Sequence, residues 1–480
     1  MIMNQAVKNQ SNLSLNDFTI AYERGEAGDA ELFAYFYAGK VLFDHSRNGW
    51  FIWKDHFWQN DSTRQIYQFV TRGLAAQYFK AAAEAFSAGI STKAGQPWAP
   101  LLTRRAYELG NLKRVESVLK LAASEKELSI SGSEWDIDPL LLGVENGVID
   151  LRTGNFRDGK PEDLIRSHAP VVWEGLDMPC PTWEKFLKDV TGGDQEMIEF
   201  FQVVFGHAVD GETTEHKIFI PIGIGRNGKS TLFEVFGIVL GSDLFLSTDA
   251  DVLMNNKKGG EGPKPFLHSL WGKRVAVAKE SSQGQNLNDG LVKSITGGDT
   301  LTVRDMYSRP VTFKPTHTLF LMTNNLPHVP PDDQAVWDRI ILLPFNQRFV
   351  ENPQLPNEHQ ADKLLKSKLE AEKSGILAWL VMGCIQYHKT YSIAIPKAIR
   401  DAVNEYRQNE DTVGQFLEEC CKFGNLFSIQ AGDLFSEYRR WAIDNGESVI
   451  SNRLFGSKLK KKFSSGRNSH GVYYSGLDLK

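Results

Sequence analysis

Cysteine is scarce in this chain: Cys180, Cys384 and the adjacent pair Cys420 and Cys421 are the only four among 480 residues. None makes a C-x-x-C pair and no histidine lies at ligand spacing around them, so a zinc site has little support. Few, scattered thiols suit a reducing cytosol better than a disulfide framework. Long apolar runs are missing too, which excludes a membrane-spanning helix. The polar stretch Met1 to Asn12 lacks the apolar segment of a secretory signal, and the expected location is cytoplasmic. Nor is there an excess of positive charge, since 54 Lys and Arg stand against 59 Asp and Glu for a net −5. A globally basic chain is excluded, but not nucleic-acid binding, which depends on where the cations sit. Internal repeats and low-complexity segments are absent. What remains is ordinary globular composition, 41% hydrophobic and 24% charged, in a chain long enough for roughly two to four domains.

Residues 1–130 alternate helical and aromatic-rich stretches. Asn48 to Trp53 and Phe57-Trp58 suggest a short hairpin, and Ile66, Phe69, Val70 and Leu74 recur at helical spacing. In residues 131–210, Leu141–Val144 and Val148–Leu151 flank Asn146-Gly147, a hairpin signal whose tight turn requires positive φ at both central residues. Pro179, Pro181 and Trp183 then open a helical stretch to about Asp210. From 211 to 350, short apolar strands alternate with helices, which predicts an α/β core. Residues 351–410 read as a charged helical connector and 411–480 as a small separate domain.

The sharpest local signal is Gly223-Ile-Gly-Arg-Asn-Gly-Lys-Ser230, which fits G-x-x-x-x-G-K-[ST]. It follows the apolar run Ile218 to Ile222 and precedes a helical stretch, Thr231 to Leu240, which is the context that the motif requires. Glycines let backbone N–H groups face phosphate oxygens, and the helix N-terminus adds its positive dipole end. Gly223, Gly225, Arg226, Asn227, Gly228, Lys229, Ser230 and Thr231 are therefore expected to cradle ATP. Lys229 would reach the β- and γ-phosphates and Ser230 would ligate Mg2+. Such a loop holds a nucleotide without saying whether the chain is a kinase or a motor.

Three downstream elements bear on that choice. Arg274 to Glu280 is a second buried-strand candidate ending in a carboxylate, suited to polarising a water or holding Mg2+, although a strand-end Glu is also common on surfaces. Leu319 to Thr323 is a third, with Asn324 at its tip able to position water or simply to start a turn. Arg339 opens a fourth apolar run. Its guanidinium is a candidate finger from a neighbouring subunit, with a structural salt bridge to Asp338 or Asp333 as the plainer role and Arg348 as a weaker rival.

These elements, in this order, resemble the superfamily 3 helicases of viruses, phages and plasmids, and in particular the helicase half of phage and poxvirus primase-helicases. Leu291 to Arg304 carries a very similar K-x-x-T-G-G-D-x-x-x-x-R stretch, followed by Tyr307 and Phe313-Lys-Pro315. Glu145 to Gly154 and Cys180 to Leu187 look like the domain preceding the helicase, and Asp411 to Leu479 like a C-terminal winged-helix extension. The resemblance implies an AAA+-like P-loop ATPase core with a mostly helical N-terminal region. It assigns Lys229, Glu280, Asn324 and Arg339 to catalysis, with Ser230 and Glu280 on Mg2+. Two departures stand out: Lys279 replaces a second acid, and Asp338 precedes Arg339 where a pair of arginines is usual.

Residues 301–313 read as a hairpin from which Arg304, Tyr307, Arg309 and Lys314 project, with Lys293 just upstream. Cations there contact phosphates without reading sequence and the aromatic can stack on a base. In the resembling family such a hairpin lines the channel of a hexamer. Lys458, Lys460, Lys461, Lys462 and Arg467 give the C-terminal domain a second basic face, suited to a winged helix-turn-helix, although lysine runs are often simply solvated. The expected partners are single-stranded and forked DNA, further copies of the chain in a hexamer, and a separate primase or origin-binding protein, with no membrane. The implied function is 3′–5′ DNA unwinding for a phage, plasmid or mobile element, in the host cytoplasm. Three alternatives stay open: a component that works with a separate primase, an ATP-dependent assembly switch on DNA without unwinding, and a small-molecule kinase.

Overall fold

The computed structural model describes residues 13–255, 265–282, 284–304, 310–469 and 471–480. It is a mixed α/β chain. Near the N-terminus, helices Leu15–Glu23, Glu26–Tyr37, Ala75–Ala88, Trp98–Glu108 and Leu112–Ala122 pack on a sheet. The strand order there is Trp58–Asn60, Gly49–Trp53, Val41–Asp44 and Ser129–Ile130. The aromatic stretch expected as a hairpin thus forms one pair of a larger sheet. A buried ion cluster fixes the helices: Asp29, fully buried, accepts from Arg105 at 2.9 Å, Arg114 at 2.7 Å and the Tyr78 hydroxyl at 2.6 Å.

A second small sheet contains Leu141–Val144 paired with Gly147–Asp150. Its turn lies one residue earlier than the Asn-Gly signal suggests, on Glu145-Asn146, and neither residue has positive φ. Two contacts explain the shift. Asn146 brackets the backbone of Trp173, donating to its carbonyl at 3.0 Å and accepting from its N–H at 2.8 Å. Gly147 lies against the Phe156 ring and the Arg157 carbonyl, where a Cβ has no room. Helices Pro181–Thr191 and Gln195–His207 follow.

The central sheet is assembled from β1 (Ile218–Ile222), followed by α1 (Lys229–Leu244), β2 (Phe245–Asp249) and β3 (Val275–Lys279). Next come α2 (Asp289–Thr296), the hairpin strands β4 (Leu301–Val303) and β5 (Val311–Phe313), then β6 (Thr318–Met322) and β7 (Ile340–Pro344). The sheet runs β2-β3-β6-β1-β7, all parallel. Its strands are apolar on both faces because both are covered, as parallel sheets require. Phe219, Val277, Phe320 and Ile341 face one core with α1, while Ile218, Ile220, Ala276 and Leu321 face the other. The sequence pattern points to four of the five strands. The missed one, β2, is a half-buried edge strand with apolar side chains only at Phe245 and Leu246, so it carries little periodic signal.

The connector departs from expectation in its first part. Arg348–Val350 and Glu358–Gln360 form a short parallel strand pair, and helices begin only at Leu365–Ala371. The next helix, Lys373–Thr390, buries Gly375–Val381 and Cys384 in the main core instead of presenting a charged surface. The C-terminal region holds helices Ala431–Asp444 and Asn452–Lys462 beside an antiparallel sheet ordered Cys421–Gln430, Gly471–Leu479 and Ser465–Asn468.

Candidate functional site

The chain leaves β1 and returns to β2 at one edge of the sheet, whereas it leaves β6 and crosses over β1 to reach β7 at the other. The order therefore reverses between β1 and β6, and the crevice at their carboxyl ends is where open α/β sheets bind ligands. The glycine loop sits in that crevice. Gly223 and Gly228 adopt positive φ, and a Cβ at Gly223 would strike the Phe345 carbonyl. Asn227, buried, donates to the Phe345 carbonyl at 3.3 Å, and the Arg226 carbonyl accepts from the Phe349 N–H at 2.7 Å. The loop is thus braced by the segment that follows β7. Gly228 offers no side chain to cap α1, and apart from the Lys229 N–H, which donates to Asn227 Oδ1 at 3.4 Å, the first turn of α1 meets no built-in side-chain acceptor among the described residues.

Lys229 is the focus of the site. It is buried, and its Nζ donates to the Gly223 carbonyl and to Asn324 Oδ1 at 3.0 Å. Burial pushes its ammonium down to about 8. Two tips that sequence reasoning treated separately therefore meet on one ammonium. Ser230, Gly225 and Arg226 are exposed around it and Thr231 is half-buried. Glu280 stands exposed at the end of β3, its N–H bonded to the Met322 carbonyl at 3.0 Å. Its φ of 66 and that of Arg226, 63, lie in the left-handed region that non-glycine residues seldom adopt, and such strain gathers at functional sites. Beneath them, the hydroxyls of Ser281 and Thr323 share a hydrogen bond of 2.6 Å that ties the tips of β3 and β6 together. Sequence reasoning missed this pair; polar residues ending two apolar strands were the available signal.

Arg339 lies elsewhere. Its carbonyl accepts from the Ile218 N–H at 2.9 Å, at the amino end of β1. The length of that strand, five residues at about 3.3 Å each, puts it about 16 Å from the loop of its own chain. It forms neither of the salt bridges considered. Its Nη1 donates to the Ala335 carbonyl and its Nε is buried without a partner among the described residues. Asp333 pairs instead with Lys293 at 2.7 Å. Arg348 is on the loop's side of the sheet, next to Phe349, and faces Glu358 at 3.5 Å.

The hairpin pairs Leu301 with Phe313 and Val303 with Val311. Arg304 is exposed on its turn side, after Val303, and Lys314 at its open end, after Phe313, while Tyr307 and Arg309 lie outside the described residues. Beside it opens a cleft of about 1030 Å³ lined in part by Arg47, Arg166, Trp271 and Lys314. Arg47 stacks 3.6 Å over Trp271 but is paired with Asp44 at 2.8 Å, and Arg166 faces Asp136, so both of these arginines are already compensated. In the C-terminal helix Lys461 pairs with Asp332 at 3.2 Å and Lys462 with Asp411 at 2.9 Å. Lys460 and Arg467 stay exposed and Lys458 is half-buried. Among the described residues no helix is long and apolar enough to cross a membrane.

A family described as "D5 N terminal like" matches residues 30–192, and a "Family of unknown function (DUF5906)" matches residues 222–339. "Putative helicase L207/L206" of Acanthamoeba polyphaga mimivirus is 31% identical over 327 residues, covering 65% of this chain and 34% of that protein. "Putative helicase 022R" of Frog virus 3 is 25% identical, covering 68% and 41%. "Putative primase C962R" of African swine fever virus is 22% identical, covering 59% and 31%. The chain spans between 31% and 41% of the length of these relatives. Among solved structures, the apo NrS-1 C terminal region overlaps at a TM-score of 0.46 with 11% identity, covering 91% of this chain and 95% of that one.

Proposed function

The chain belongs to the superfamily 3 primase-helicase type, and from that premise we propose that it is an ATP-dependent, ring-forming DNA helicase. It would serve the replication of a viral or other mobile element and translocate 3′ to 5′ on single-stranded DNA. One observation carries the ATP part: the buried Lys229 ammonium, held between Gly223 and Asn324 at the point where the strand order reverses. A cation placed there, at an uncapped helix N-terminus, fits the β- and γ-phosphates of a nucleotide. Ser230 and Glu280 are the residues that would hold Mg2+, whose charge would offset that of the phosphates. Glu280 orients the attacking water, and Asn324 can hold it from the opposite strand tip.

The position of Arg339 favours an assembly over a single subunit. At the amino end of the sheet it cannot serve its own loop, but on a neighbouring copy it can face that loop and stabilise charge developing on the γ-phosphate. Arg304, Lys314 and residues 305–309 between them would draw one strand through the ring. The helices and antiparallel sheet of residues 411–480 suit a winged-helix DNA contact, with Lys458, Lys460 and Arg467 as its cations. A second role, as the motor part of a primase-helicase that relies on a separate primase or origin-binding protein, is favoured by the relative named a primase.

Strand displacement on a 3′-tailed duplex tests the proposal. Wild type should hydrolyse ATP and separate the strands, and Lys229→Ala should do neither. Arg339→Ala should bind ATP but lose about 10³-fold in hydrolysis. Mixed with Lys229→Ala subunits it should regain part of that loss, because some interfaces then combine an intact loop with an intact arginine. A wild type that hydrolyses ATP yet never separates strands is not a helicase. Normal hydrolysis by Arg339→Ala would remove the arginine from catalysis.

A further inference from the structure

The helices Gln195–His207 and Lys373–Thr390 cross with almost no space between their backbones. Gly206 lies on the backbone of Gly383 and Cys384, and Gly383 lies on that of Gln202, so a Cβ at either glycine would overlap main-chain atoms. This close approach brings together two short sequence patterns, His207-x-x-Asp210 at the end of one helix and Cys384-x-x-x-His388 on a single face of the other. Asp210 and Cys384 are fully buried, and the His388 side chain is 4% exposed.

One donor atom from each of Asp210, Cys384 and His388 lies within 4.8 Å of the other two. His388 Nε2 stands 3.5 Å from Asp210 Oδ2. A tetrahedral ion with bonds of about 2.0–2.3 Å separates its ligands by roughly 3.3–3.7 Å, so that edge already has the right length. Neither ring nitrogen of His388 makes a hydrogen bond among the described residues. The rings of Tyr387 and Tyr391 pack beside it without satisfying it. A buried imidazole left in that condition is costly unless something else binds it. Asp210, by contrast, is oriented firmly: Oδ2 accepts from His207 Nδ1 at 2.8 Å and Oδ1 accepts from the Glu212 N–H at 2.7 Å. Carboxylate ligands are characteristically held by such outer hydrogen bonds.

We infer that Asp210, Cys384 and His388 form a buried site for a divalent transition-metal ion of the zinc class, with His207 positioning the carboxylate. The mixed sulfur, nitrogen and oxygen donors select such an ion over calcium or magnesium, which prefer oxygen alone. Binding deprotonates the Cys384 thiol and releases that proton to solvent as the sulfur–metal bond forms. Thiolate and carboxylate together neutralise the divalent ion. The nearby buried Arg274 donates to the carbonyls of Pro139, Val209 and Leu141, so its hydrogen bonds do not depend on Asp210. The expectation against zinc, drawn from the want of a C-x-x-C pair and of a histidine at ligand spacing, is corrected here: His388, one helical turn after Cys384, has that spacing, and only the fold adds Asp210 to it. The site lies outside the glycine loop, and its role is structural, a clasp between the two helices that carry the central sheet's main core.

The test uses the full chain, stripped of metal with a mild chelator and then titrated with Co(II). One Co(II) should bind per chain, with intense visible bands of tetrahedral geometry and a thiolate-to-metal charge-transfer band in the near ultraviolet. Zn(II) should displace it and erase both. Cys384→Ser should lose the charge-transfer band, and Asp210→Asn or His388→Gln should weaken Co(II) at least 10-fold. Lys229→Ala should bind Co(II) like wild type, which separates this site from any nucleotide-linked metal. Wild type that keeps its circular dichroism but shows no charge-transfer band and takes up no Zn(II) would overturn the proposal, whether or not the variants fold. A charge-transfer band unchanged in Cys384→Ser would overturn it as well.

Discussion

If Lys229 meets a triphosphate, binding must take up protons, and the amount follows from its burial. The ammonium is pushed down to about 8 by desolvation, so at pH 8 about half of the free chains carry it neutral. Phosphate oxygens favour the charged form and return its titration toward or above the ordinary lysine range. The sign follows directly: between about pH 8 and 10.5 the complex holds more protons than the free chain, so affinity falls as pH rises through 8. Titrating calorimetry with a non-hydrolysable ATP analogue, in two buffers of different ionisation enthalpy, measures the uptake. About half a proton per site is expected at pH 8, and clearly less at pH 7. A terminal phosphate, with a second pKa of about 6, contributes little at pH 8. Lys229→Arg is the control, because a guanidinium stays charged throughout and should show no such uptake even if it binds more weakly. Equal uptake by wild type and Lys229→Arg at pH 8 would refute the assignment of the neutral fraction to Lys229.

Two further outcomes concern the scaffold. Gly206→Ala inserts a methyl group into the backbone of Gly383 and Cys384, where no flexible side chain can yield. It should cost about 1–3 kcal/mol or more and lower the first thermal transition by several degrees; an unchanged melting profile would show that the helices can separate freely. Asp29→Ala removes the buried carboxylate that Arg105 and Arg114 share and leaves them only the more exposed Glu108, at 3.3 and 3.6 Å, and, for Arg114, Glu26 at 3.7 Å. A loss of about 3–5 kcal/mol is expected, read as earlier proteolysis within residues 15–122 while the central sheet resists. Equal protease resistance of that region in both proteins would contradict the role given to the cluster.

Much of the fold was legible because its signals are local. The strand-loop-helix at Ile218 to Leu244 announces itself through an apolar run, glycines at fixed offsets and a helical stretch, all within one segment. The hairpin at 301–313 alternates cleanly enough to place both strands. Where the sequence misled, a distant partner overrode the local preference. Asn146 was drawn onto Trp173 and displaced the expected turn by a residue. The Lys373–Thr390 helix went inside because Gly206 and Gly383 let it approach. Edge strand β2 had too few apolar residues to show a period.

The same division holds for the functional residues. Sequence by itself determined which residue types stand at the glycine loop, at the strand tips of Glu280 and Asn324, and at Arg339, because chain order and spacing are properties of the chain. Only the tertiary structure decided which of them act together. Parallel strand order brings Lys229 to Asn324 and carries Arg339 to the far end of the sheet. Helix crossing gathers Asp210, Cys384 and His388 from positions far apart in the chain. Distances between side chains are set by packing, and packing is a property of the whole fold that no single segment encodes.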